Sequence, residues 1–494
     1  MTDRQVSPPT RPAGRDGFYP RRVGRWTVTA ALLALTACRD GCRSSPQGQD
    51  SNVQPPDSGE TASPETGDST TSHPAAGALI LRSNSGGGCL DLIDYDSGVT
   101  LESLCLGDII PESCHGLGDD GLARCQAFGV LYDLTPQRER LLLVYARQQA
   151  GATEHLPGGV LSLPLSNPLQ PEWQLMEMAF PKGHALQQHC ENLNEELDDG
   201  LPFDWLNKEH KQCFNAFPHD IALMPDGETI VLTDTSQGRV IWARPPVGDA
   251  AAEIIALFDQ DLSLWNDSRA VNCLQLVQDQ GHTLMLLSYK AASDEESGEN
   301  DGRITMWDVT DPQLPSLLWA WPTDGVVAAV HNPALWETDQ GLLMSYAHSL
   351  GASDGENEWA GSMGLAQYSY EGIPEYLADI VLAGGNDGED MGFVRDVQIV
   401  PGLDKALILD SGCSDPNLAS CTLPARMIEV ALDIPSPPSL GGGWDPSHDQ
   451  QSFQPARVIR EFNTDNLYYP FDIDLIQAED QGQGLRSLVG WDPN

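Results

Sequence analysis

The sequence predicts an all-β body, a six-bladed β-propeller with a helical or looped insertion, preceded by a disordered tether. Three observations carry that fold class. Apolar strand pairs recur along the chain and open near Phe128, His219, Asn272, His331, Arg395 and Phe471. Their turns contain Asp-Gly, Gln-Gly or Gly-Leu-Asp, which suit tight hairpins. The composition, 40 % hydrophobic with 47 Gly and 36 Pro in 494 residues, is too apolar for a disordered chain and too rich in helix breakers for a bundle.

Each unit holds three or four short strands and cannot bury its faces alone. Closing several such sheets around an axis buries them and leaves few exposed edges. The clearest unit runs from His219 through Met224-Pro225-Asp226-Gly227 to a third strand after Gly238. A β-sandwich has no use for one hairpin repeated around the chain. The competing architecture is a seven-bladed ring, with the N-terminal strands as a blade of their own. In the favoured reading the last unit, from Phe471, supplies two strands, and two more between Gly77 and about Gly98 complete its blade and fasten the ring.

Taken in order, residues 1–37 are an address rather than part of the fold. Arg21, Arg22 and Arg25 precede an apolar run, Thr27 to Ala37, that is too short to span a bilayer as a stable helix. The run ends in Leu35-Thr36-Ala37-Cys38, which resembles the lipobox of bacterial lipoproteins. That resemblance implies cleavage before Cys38 and lipidation of its thiol. The protein is then expected at the cell envelope, extracytoplasmic, on the outer membrane or cell surface, and held to the membrane by lipid alone. Residues 38–76 are dominated by Ser, Thr, Pro, Gly and Asp, with almost nothing to bury, and read as a disordered tether. The propeller then occupies residues 77–494, interrupted by an insertion at 181–215 whose pattern breaks the strand period.

Export puts the 11 cysteines in an oxidising space. Loop length suggests four pairs: Cys89 with Cys105, Cys114 with Cys125, Cys190 with Cys213, and Cys413 with Cys421. Cys273 lies in an apolar strand and reads as a buried thiol. Cys42 lies in the tether and is unassigned. In the insertion, His184, His189, Cys190, His210 and Cys213 have residue types that bind zinc, but a Cys190–Cys213 bridge accounts for the cysteines more simply in an exported protein. Acidic stretches at 293–302 and 386–390 lack the distal Glu of a calcium loop. The GxSxG spelling around Ser353 sits in a polar loop instead of a strand-to-helix turn. No metal and no cofactor is assigned.

Innermost strands of a propeller line its axis, so their first residues converge. Here those residues are His219-Asp220, Asn272, His331-Asn332, Arg395-Asp396 and Phe471-Asp472. Asp and Asn at such places satisfy strand-end backbone groups. His219, His331 and Arg395 together are expected to hold a small anion at one mouth of the channel, since guanidinium and imidazolium donors match oxyanions.

His219-Asp220 with Met224-Pro225-Asp226-Gly227 and Gly238-Arg239-Val240 resembles the unit of bacterial arylsulfotransferase propellers. So do His331-Asn332 with the strand to Ser345, and Arg395-Asp396-Val397-Gln398 followed by Asp410-Ser411-Gly412. The resemblance spans roughly residues 120 to 494 on short motifs. It implies an exported propeller that passes a sulfuryl group between phenols through a histidine. Where the family's nucleophilic His is expected this chain has Arg395, and where its Arg is expected Ala347 stands beside His348. His219, oriented by Asp220, is then the candidate nucleophile.

A net charge of −45 argues against nucleic acid, whose phosphates need a Lys/Arg surface, and against adsorption to anionic lipid. Two classes of function follow: a surface module that binds a protein or a small anionic or phenolic ligand, and an aryl-sulfate sulfotransferase.

Overall fold

Leu141–Tyr145, Ile230–Asp234 and Ala406–Asp410 are buried at every position, without alternation. Such runs belong to strands covered on both faces, the condition of a sheet wedged between two others. The computed structural model describes residues 77–117, 123–135, 138–147, 158–175, 186–198, 213, 218–235, 238–245, 252–259, 270–279, 281–290, 303–321, 330–338, 341–348, 352–353, 358–359, 361–368, 374–382, 391–400, 404–412, 425–432, 453–462, 467 and 469–488. These residues build a six-bladed β-propeller.

From axis to rim, the first blade is Cys125–Thr135, Arg138–Arg147, Gly159–Pro164 and Trp173–Leu175. The second is Pro218–Leu223, Ile230–Asp234, Arg239–Arg244 and Glu253–Asp259. The third is Ala270–Asp279, His282–Lys290, Arg303–Asp308 and Ser316–Trp321. The fourth is Val330–Thr338, Gly341–His348, Ser362–Tyr368 and Glu375–Leu382. The fifth is Val394–Ile399, Lys405–Asp410, Arg426–Ala431 and Phe453–Glu461. Innermost strands of successive blades touch in order, and the sixth returns to the first. Blades four and five are also joined at the rim, where Asp379–Leu382 pairs in parallel with Phe453–Ala456.

The sixth blade is shared between the chain's two ends. Pro470–Ile476 is innermost, and Leu79–Asn84, Cys89–Asp94 and Thr100–Cys105 follow outward. The division is therefore one C-terminal strand with three N-terminal ones, where the sequence suggested two and two. The extra outer strand, Thr100–Cys105, lies just past the expected boundary. Gln483–Leu488 forms a helix instead of a second C-terminal strand. Leu485 and Leu488 are spaced for one helical face and bury it against the core shared by the first and sixth blades. Glu139 of the first blade accepts the Gly484 and Leu485 N–H groups, both at 2.6 Å, so donors left open at the helix start are satisfied from a neighbouring blade.

Every innermost strand carries one extra residue against its partner. The register slips between Ala127 and Val130, Pro218 and Asp220, Val271 and Leu274, His331 and Ala334, and Val394 and Asp396; in the sixth blade it slips opposite Arg82 and Asn84. A bulge of this kind re-aims a side chain that the pleat sends to the other face. In three blades a hydroxyl on the second strand takes the freed N–H. Asp220 donates to Thr233 Oγ1 at 3.0 Å, Cys273 to Ser288 Oγ at 3.1 Å, and Asp472 to Ser83 Oγ at 2.9 Å.

Of the insertion, Gln187–Asp198 is a helix. Its Cys190 and Leu193 pack with Phe128, Ile221 and Leu232 in the core between the first two blades. Three disulfides join Cys89 to Cys105, Cys114 to Cys125 and Cys190 to Cys213, as loop length suggested. Cys273 is a buried free thiol. Disulfides of this number indicate an oxidising, extracytoplasmic environment. Among the described residues no helix is long and apolar enough to cross a membrane. Cys38, Cys42, Cys413, Cys421, His184, His210 and the acidic stretches 293–302 and 386–390 lie outside the described residues.

Candidate functional site

The bulges deliver two successive residues from each blade to the axis, and these form two layers. The outer layer holds Phe128, His219, Asn272, His331, Arg395 and Phe471. Phe471 packs edge-on against His219 at 4.4 Å and Phe128 at 4.9 Å, with His331 at 6.2 Å. His219 lies 6.1 Å from His331 between ring centres. The Arg395 guanidinium sits over Phe393 at 4.2 Å, Tyr469 at 4.6 Å and Phe471 at 5.7 Å. It also donates to the Tyr469 hydroxyl. Burial pulls Arg395 down to about 9. His219 Nδ1 is 3.1 Å from the Asn272 carbonyl. A carbonyl only accepts, so Nδ1 carries the hydrogen.

Thus His219 and His331 are brought together, and Arg395 shares the rings of Phe393 and Phe471 with His331. All three are buried, at 4 %, 1 % and 5 % exposure. That degree of burial decides the site's access: the donors are inside an aromatic plug.

The second layer holds Gly129, Asp220, Cys273, Asn332, Asp396 and Asp472. Its carboxylates latch one blade to the next. Asp220 accepts the Leu274 N–H at 2.7 Å, Asp396 the Ile473 N–H at 2.8 Å, and Asp472 the Val130 N–H at 2.9 Å. Asp220 and Asp396 also accept from Ile221 and Val397, each at 2.7 Å. Two glutamines repeat the device further along. Gln275 accepts the Leu335 N–H at 2.8 Å, and Gln398 accepts the Leu475 N–H at 2.9 Å while donating to the Ile473 carbonyl at 2.8 Å. In the first blade the second-layer place is Gly129, where a Cβ would stand 2.8 Å from the Asp220 Cα. Only glycine lets the second blade's backbone come that close. Asn332 has φ of 37°, a left-handed conformation that Asn tolerates better than most residues, and donates to Asp472 Oδ1 at 3.4 Å.

A cavity of about 340 Å³ opens at this layer. Asp220, Asn332, Asp396 and Asp472 line it together with Asp474, Gln275 and Gln398. Its remaining wall is apolar and includes Leu131, Leu223, Leu276 and Trp336. The Trp336 ring is held by a bond from Nε1 to Ser345 Oγ at 2.7 Å. Burial raises the carboxyls, Asp220 to about 7 and Asp396 and Asp474 to about 6. Asp472 is raised as well, by burial and by the charges of Asp396 and Asp220. Among the described residues no group of three or more His, Cys, Asp or Glu is arranged to hold a metal ion.

Sequence reasoning placed His219, His331, Arg395 and Asp220 at the axis but missed Asp474, Gln275 and Gln398. One signal was available: a Gln stands three residues after both Asn272 and Arg395.

No family model and no curated protein matches the chain. Solved structures do match in part. A Pseudomonas aeruginosa periplasmic gluconolactonase aligns at 10 % identity and a TM-score of 0.40, over 81 % of this chain and 99 % of that one. A chain of a nidogen/laminin complex aligns at 10 % identity and 0.41, over 82 % and 100 %. A hypothetical selenium-binding protein from Sulfolobus tokodaii aligns at 10 % and 0.44, over 83 % and 96 %.

Proposed function

We propose that this protein is a lipid-anchored, extracytoplasmic binding module whose small-molecule ligand occupies the axial cavity. The observation that carries the reading is the division of the axis. The open part is a cavity with convergent polar groups at one end and apolar walls at the other, the usual make-up of a ligand pocket. The groups suited to sulfuryl transfer, His219, His331 and Arg395, lie behind it in the aromatic plug. Sulfotransferase chemistry is the alternative. It asks for an imidazole nitrogen that an aryl sulfate can reach, and Phe128 and Phe471 occupy the space around His219.

The test is a ligand screen by thermal shift, with tryptophan emission as the site report, run beside an assay for sulfate transfer from an aryl sulfate to phenol. The expected result is a stabilising small molecule whose spectral signal is lost in Trp336→Phe, and no transfer. Transfer that disappears in His219→Ala supports the alternative and overturns the binding reading.

Anchoring is tested separately. Cys38→Ala is expected to move the protein from the membrane fraction to the soluble fraction. Partition like that of the wild type removes the lipoprotein reading.

A further inference from the structure

We propose that the axial cavity takes an organic cation, a small primary or secondary ammonium with an apolar body, its charge on the Asp floor and its body against Leu131, Leu223, Leu276 and Trp336. This rests on the reading of the cavity as the ligand site and names the ligand's class.

The cavity wall holds more acceptors than donors. The floor carboxylates already accept backbone N–H groups. An ionised carboxylate has about four lone-pair sites, so acceptor capacity is left over once these groups lose their protons, even with Asp396 and Asp472 bonded to each other. Of the amide donors on the wall, Gln398 Nε2 goes to the Ile473 carbonyl and Asn332 Nδ2 to Asp472, which leaves the Gln275 amide against the spare oxygens of four carboxyls. Among the described lining residues there is no Lys, Arg or His. The cavity therefore offers acceptors and negative charge and asks for a ligand rich in donors and positively charged. A bare metal ion is a poor match, because no three ligating side chains are arranged for one. An ammonium accepts looser geometry, and the apolar wall with its fixed indole suits an alkyl body beside a cation.

Binding is coupled to protons. The titratable groups facing the floor are Asp220, Asp396, Asp472 and Asp474 on the second, fifth and sixth blades and the Cys273 thiol on the third. His219, His331 and Arg395 lie in the layer behind. The first and fourth blades contribute Gly129, Val130 and Asn332, which do not titrate. An ammonium favours ionised carboxylates, so it displaces protons and affinity rises with pH. An oxyanion held by imidazolium has the opposite slope.

The experiment is calorimetric titration of the full-length protein in detergent with n-butylammonium, 1-butanol, butyrate and calcium chloride, at about pH 5 and about pH 8, on either side of the raised values of Asp220, Asp396 and Asp474 and of the unperturbed imidazole value. The expected result is binding of n-butylammonium alone. It should be tighter at the higher pH, release protons, and weaken by about tenfold or more in Asp474→Asn, the loss of one charge partner being worth about a decade. Asp472→Asn tests the floor, and Asp474→Asn serves where that latch variant does not fold. Butanol or butyrate binding with a Trp336-dependent signal, in place of n-butylammonium, overturns the cation class and leaves the cavity as the site. Calcium binding in its place also overturns the class. No binding by any of the four, with no ligand from the broader screen, removes both.

Discussion

A chain that ends before Pro470 is expected to lose cooperative folding altogether. The cut removes the innermost strand of the sixth blade, and with it Phe471, Ile473 and Ile476, exposed by 1 %, 2 % and 4 %. Each such side chain contributes roughly 1.5–3 kcal/mol by burial. The latch of Asp472 on Val130 and the pairing with Leu79–Asn84 go too. Together these approach the whole stability of a typical domain, about 5–15 kcal/mol. A cut before Gly484 is milder. It loses the buried Leu485 and Leu488, roughly 3–6 kcal/mol on the same scale, and leaves the strand in place. Thermal melts followed by circular dichroism separate the cases: no transition for the long deletion, a lowered but cooperative one for the short. A long deletion that melts like the wild type is incompatible with ring closure by this strand.

The second large effect is a stability that falls as pH rises. Burial holds Asp220 at about 7 and Asp396 and Asp474 at about 6 when folded, whereas an unfolded aspartate titrates near about 3.9. Between those values the folded chain binds more protons than the unfolded one. Stability from these groups is complete below the unfolded value and is lost as pH climbs through about 6 to 7. The melting temperature is expected several degrees higher at about pH 5 than at about pH 8. Repulsion within a chain of net charge −45 has the same sign, but salt screens it, while partly buried charges are screened much less. The difference should survive high salt and shrink in Asp396→Asn. A flat profile in high salt would mean that these carboxyls are ionised in the folded state.

The ring was legible because its repeat is written in hydrophobic runs. The first axial residue of each blade could be located from those runs alone. The bulges could not, since one extra residue in a strand leaves no mark in composition or period. Strict alternation of the pleat sends the neighbours of His219 and Arg395 away from the axis, yet Asp220 and Asp396 line the channel beside them. That is why the sequence, which placed Asp220, Asp396 and Asp472 at the axis as fasteners of backbone groups, gave the ligand to the imidazoles and the guanidinium and did not show the carboxyls as the floor of a cavity. Burial was equally hidden: nothing in the spelling of Phe471 says that its ring packs on both histidines. The C-terminal helix was misread for a different reason. Leu485 and Leu488 in so short a segment suit a strand end or one helical turn, and the choice is made by Glu139, about 345 residues away in sequence.

The rim pairing of Asp379–Leu382 with Phe453–Ala456 makes one joint of the ring unlike the others. Among the described residues the other adjacent blades are joined by side chains packed between their faces, out to Leu175, Ile254 and Trp321 on outermost strands, with no backbone ladder between the sheets. Between the fourth and fifth blades a backbone ladder acts at the far end of the lever, where resistance to rotation is greatest. Turning one of those two blades against the other would break that ladder, so at this joint the backbone itself resists a widening of the channel.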